Sequence, residues 1–91
     1  MDLIEGSMFT LVELETCIDK KMSRPRVRPL NPFPTSIRVE FPKALRDKYP
    51  IGTQFRSDVV VCQKHNKDGS LRGPLYLRAV AETIALMHQN F

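Results

Sequence analysis

Two kinds of residue in this 91-residue chain are chemically suggestive. The first are soft donors. Cys62 and His65 stand close together in CQKH, and Cys17 and His88 are the only other cysteine and histidine. A structural zinc site takes four such ligands in a tetrahedron. Residues three apart on an extended strand point to opposite faces, so this pair is a poor start for one. Cys62 reads as a small packed hydrophobe and His65 as a loop residue. Thiol catalysis would need Cys62 against a base such as His88, a group orienting that base and a walled cleft. A chain this short, with no glycine-rich oxyanion loop, argues against it. No enzymatic activity, metal or cofactor is expected.

The second kind are cations. The stretch KKMSRPRVRPLNPFP, Lys20 to Pro34, holds Lys20, Lys21, Arg24, Arg26 and Arg28, four of the seven prolines and no acid. Arg24, Arg26 and Arg28 alternate, so on an extended backbone all three point one way, about 6–7 Å apart. Phosphates along a nucleic-acid strand repeat on a similar scale, and a guanidinium grips each through two bonds. Arms of this build enter minor grooves. The competing use is internal, pairing with Glu13, Glu15 and Asp19. A second basic group, Lys64, Lys67 and Arg72, surrounds HNKDGS. Asp68-Gly69-Ser70 lacks the glycines and following helix of a phosphate cradle, and reads as a hairpin tip with a positive knob. Tyr49, Phe55 and Tyr76 are the aromatics considered for base stacking, with Phe55 on the core side.

The net charge of +4 conceals an asymmetry. Residues 1–19 carry Asp2, Glu5, Glu13, Glu15 and Asp19 and no base, and the next nine carry five bases and no acid. Head and strap either neutralise each other or turn different faces to a polyanion. With 42% hydrophobic and 26% charged residues the chain reads as one globular domain over 1–91. No apolar run approaches the roughly 20 residues of a membrane span, so no membrane contact is expected. The opening MDLIEGSMFTLVELE lacks a signal's basic start. Two distant cysteines give no disulfide framework, and a cytoplasmic setting is expected.

The positioning elements follow from periodicity. Thr10-Leu11-Val12-Glu13 fits a capping box, and Leu11, Leu14, Ile18 and Met22 recur at helical spacing, predicting an amphipathic helix over 10–22. Pro25 stops it. Residues 23–35 form a basic proline-rich strap, near polyproline II, with 23–28 exposed and 29–34 packed down by Leu30 and Phe33. Ile37, Val39 and Phe41 alternate with Arg38 and Glu40 as a strand, and Pro42 opens a short helix over 42–48 with Ala44 and Leu45 inward. Thr53–Lys64 predicts the longest, central strand, and Leu75–Ala79 its hairpin return. The tail fits a helical face, Val80, Ile84, Met87 and Phe91, as well as a strand, and the strand over 83–88 is preferred because a fourth strand improves closure.

The expected fold is therefore α+β: one N-terminal amphipathic helix, the strap, and a mainly β body over 36–91. That body is a small bent antiparallel sheet or half-open barrel of about four strands. It resembles SH3-like and OB-like barrels in strand count and spacing only, which implies no function. The functional expectation is a non-enzymatic nucleic-acid-binding accessory protein, contacting DNA or RNA through Lys20, Lys21, Arg24, Arg26, Arg28, Lys64, Lys67 and Arg72. The alternative is a self-associating module, a homo-oligomer whose interface is the helical face Leu11, Leu14, Ile18 and Met22.

Overall fold

The computed structural model describes residues 3–89, so Asp2 of the acidic head and Phe91 of the tail lie outside the described residues. The N-terminal region corrects the first expectation. Residues predicted as an amphipathic helix form a strand, β1 (Met8–Asp19). Val12, Leu14 and Thr16 alternate inward and are buried. The expected helical face separates: Leu14 is fully buried, whereas Leu11, Ile18 and Met22 are exposed. Thr16 is the reason the alternation is hard to read. It occupies an inward position where a leucine would have made the period-2 pattern plain. Its hydroxyl lies 3.2 and 3.4 Å from the carbonyls of Pro50 and Thr53 and accepts the Thr53 N–H at 3.1 Å, so burial leaves it satisfied. Thr10, Val12, Thr16 and Ile18 are also β-branched, which favours a strand. Exchange of an N-terminal helix between protomers thus has no helix to use.

The sheet corrects the second. It has six strands and is mixed: β2 (Arg24–Pro29), β3 (Val39–Glu40), β4 (Gln54–His65), β5 (Leu71–Ala79) and β6 (Ala85–His88) join β1, with a short helix α1 (Lys43–Lys48) between β3 and β4. β1 pairs antiparallel with both β2 and β4. β2 meets β3, β3 runs parallel to β5, and β5 returns antiparallel to β4. The pairings close a ring, β1-β2-β3-β5-β4-β1, and β6 follows β5 along β4 after one 3-10 turn at Ala81–Thr83. β1 serves two neighbours by bending at a bulge between Phe9 and Val12. There Leu11 takes φ 54° and donates its N–H to Asp58 Oδ1 at 3.1 Å.

The first half of the strap is β2, with Val27 at 1% exposure, not an exposed polyproline segment. Two prolines sit in this strand because of which way they point. Leu30 donates its N–H to Glu13 O at 2.9 Å, so even-numbered residues direct their N–H groups towards β1. Pro25 and Pro29 turn their missing donors to the β3 side, where the ladder is the single pair Val27–Val39. In the second half Pro29 and Phe33 are buried and Leu30 is half-buried, whereas Asn31, Pro32 and Pro34 are exposed. Phe33 is buried and meets Phe9 edge-on, with ring centroids 5.3 Å apart.

Inward residues of every ring strand form one core, including Leu14, Val27, Val39, Phe55, Val59 and Leu77. Phe41 and Tyr49 pack on the Phe55 ring at 5.1 and 5.6 Å, and Leu45 of α1 joins the same core. Ala44, expected inward, is exposed. β4 is the central strand, as its two-sided apolar pattern implies, and pairs with β1, β5 and β6. No helix among the described residues is long and apolar enough to cross a membrane.

Candidate nucleic-acid interface

Outward residues of β2 supply the first wall. Arg24, Arg26 and Arg28 share that face because a strand alternates. Their fates differ. Arg28 donates from Nε and Nη2 to Glu15 Oε1 at 3.1 and 2.6 Å, and Gln54 donates to Glu15 Oε2 at 3.2 Å. Burial opposes ionisation of Glu15, but the hydrogen bonds from Arg28 and Gln54 outweigh it and hold its carboxyl below the usual value. Arg26 donates from Nη2 to Thr35 O at 3.2 Å, and its Nε is buried without a hydrogen-bond partner among the described residues. Arg24 is exposed and directs Nη2 to Met22 Sδ at 3.3 Å.

The turn joining β1 to β2 is held by Asp19. Its carbonyl accepts the Ser23 N–H at 2.7 Å and its Oδ1 the Lys21 N–H at 3.0 Å. Lys20 and Lys21 are exposed on this turn.

The β4–β5 hairpin forms the opposite wall. Cys62 pairs with Tyr76, but two residues further along β4 Lys64 pairs with Arg72, so β5 carries a bulge containing Gly73 and Pro74. Gly73 takes φ 73°, and a Cβ there would meet nothing within 4 Å. Backbone conformation, not space, therefore requires glycine. Gln63 secures the bulge by donating to Gly73 O at 2.6 Å. Bulges re-aim the side chains beside them. Here Lys64 and Arg72 border the same space as Arg24 and Arg26. Lys67 is exposed on the hairpin turn and does not line that space.

Between the walls runs a groove of about 720 Å³. Its cations are Arg24, Arg26, Lys64 and Arg72 with Arg38 and Arg46, against two carboxylates, Asp19 and Glu40. Arg46 Nε lies 3.8 Å from Asp47 Oδ1, an ion pair too long for a hydrogen bond, and like Arg26 Nε is buried without a hydrogen-bond partner among the described residues. No acid pairs with Arg24, Arg26, Arg38, Lys64 or Arg72 among the described residues. Tyr76 lines the groove with Lys64 Nζ 5.9 Å from its ring centroid. Burial, aided by Cys62 and Glu40, pushes its phenol pKa up, so the ring stays neutral at physiological pH. Of the other stacking candidates, Tyr49 packs on Phe55 and Phe55 is in the core.

The soft donors do not assemble. The β4–β6 register puts His88 opposite Gln54, eight residues from Cys62, about 26 Å along a straight strand. His65 is exposed and contacts Glu5 through Nε2 at 3.0 Å, which raises its pKa. Burial pushes the Cys17 thiol up in spite of nearby Arg26 and Arg28, which is the wrong direction for a nucleophile. No group of three or more metal-binding side chains occurs among the described residues.

Of the eight cations singled out from the sequence, the structure brings Arg24, Arg26, Lys64 and Arg72 to one groove. Arg28 is diverted to Glu15, and Lys20, Lys21 and Lys67 are exposed on turns and do not line the groove. Arg38, Glu40 and Arg46 were not singled out. The Ile37–Phe41 alternation marks Arg38 and Glu40 as outward, but only the β3–β5 pairing joins their face to Tyr76. No family model, curated protein or solved structure matches the chain.

Proposed function

We propose that this chain is a non-enzymatic nucleic-acid-binding protein that takes a single strand along the groove between the β1–β2 turn and the β4–β5 hairpin. One observation carries the reading: five cations without acid partners among the described residues, contributed by β2, the residue preceding β3, and both strands of the hairpin, converge on one groove beside a half-buried aromatic ring. Grooves that bind single strands combine cations that track the backbone with rings on which bases stack. The basic segment acts here as a wall of the groove and not as a free arm. Fluorescence anisotropy with a labelled oligonucleotide, titrated from low to moderate salt, tests this. Affinity falls steeply with salt if phosphates are contacted. No binding at low salt with micromolar protein removes the reading.

A further inference from the structure

Glu40 is out of place in a groove that merely attracts phosphate. It is exposed, it lines the groove among six cations, and it has neither an ion-pair nor a hydrogen-bond partner among the described residues. Asp19, the other carboxylate there, is accounted for by its hydrogen bond to the turn. Arg78, opposite Glu40 in the β3–β5 register, makes no ion pair with it. Tyr76 stands two residues before Arg78 on β5, so in the β3–β5 register it is the diagonal neighbour of Glu40. Both project outward from adjacent, parallel strands, since their neighbours Val39 and Leu77 are the buried residues.

A carboxylate repels phosphate, so a strand lying in this groove turns something else to Glu40. A carboxylate accepts and never donates, through two oxygens side by side. Single-stranded bases offer their Watson–Crick edges to such groups. Guanine presents two adjacent donors there, N1–H and the 2-amino group, which match the two oxygens. Cytosine and adenine present one amino group beside an acceptor nitrogen. Thymine presents a lone N3–H between two carbonyls. Resting on the single-strand reading above, we propose that Glu40 makes the groove selective for guanine, reading the Watson–Crick edge of a base stacked on Tyr76 while the surrounding cations hold its phosphates.

The test uses anisotropy with three oligodeoxynucleotides of about 12 nucleotides, a length within the span of one small barrel. One is all thymine. In the second, one central thymine is replaced by guanine, and in the third by hypoxanthine, which keeps N1–H and lacks the 2-amino group. Wild-type protein binds the guanine oligonucleotide about fivefold or more tighter than the all-thymine one, with hypoxanthine between. Glu40→Gln loses that advantage while binding all-thymine at least as tightly, with an unchanged melting curve. Equal wild-type affinities for all three, or a guanine preference that survives in Glu40→Gln, overturns the assignment and leaves the single-strand reading standing. Failure of all three to bind at low salt overturns both.

Discussion

The two ends of β2 carry the same residue type into different circumstances. At the C-terminal end Arg28 lies opposite Glu15 and is consumed by it. Towards the N-terminal end Arg26 lies opposite Cys17, which offers no charge, and Arg24 lies opposite Asp19. Asp19 forms no ion pair with Arg24, and its Oδ1 accepts the Lys21 N–H in the turn. Three arginines spaced two apart are indistinguishable in the sequence. What separates a fold-stabilising arginine from one facing a groove is the partner that the β1 register sets across from it, and what that partner is already doing. The faces of β2 differ as sharply: Val27 is closed into the core, while Arg24 and Arg26 on alternate positions border the groove.

The largest effect separates core from groove. Phe33→Ala removes a buried ring that packs on Phe9, and costs about 3–5 kcal/mol in denaturant unfolding. The fraction that remains folded keeps its affinity for oligonucleotide. A smaller effect on stability and a larger one on binding comes from Arg24, Lys64 and Arg72 changed together to alanine. None has an acid partner among the described residues, so the melting temperature stays nearly constant. The salt dependence of binding loses about 2 from its logarithmic slope, at roughly 0.7 per phosphate on a single strand. If that triple variant unfolds, or binds as before, the division between core and groove is drawn in the wrong place.

Arg28→Ala gives the smallest effect and tests the comparison within β2. Its side chain is 41% exposed, so solvent screens the pair and the loss is about 1 kcal/mol or less. Oligonucleotide affinity hardly changes, and a loss matching that of Arg24→Ala would place Arg28 in the groove after all. The pH profile gives a second readout. Glu15 is held below its usual value, so the stability it lends is complete above the ordinary glutamate value of about 4.3 and is lost as pH falls through the lower, folded one. Removing Arg28 flattens that acid limb in thermal melts recorded from neutral pH downwards.

Sequence by itself determined the strands whose alternation is unbroken, and little else about the barrel. β4 is legible because Phe55, Val59 and Val61 stand on one side, and the hairpin because Asp68-Gly69 punctuates it; Gly69 takes φ 88°. Phe33 is legible as a buried residue because an aromatic ring among prolines has no other favourable place. β1 was not legible. Thr16 breaks the apolar alternation, and leucines from different faces happen to fall at helical spacing. That the strap is a strand was hidden by its prolines, which are tolerated only because the neighbouring ladder is so short. The candidate site divides in the same way. Basic clusters are local in sequence and could be named from it. Their convergence was decided by tertiary structure, because it depends on β3 running beside β5, on the bulge at Gly73, and on Glu15 standing opposite Arg28. Each of these is a pairing between residues distant in the chain, and a local pattern of residue types does not encode which distant partner a strand will meet.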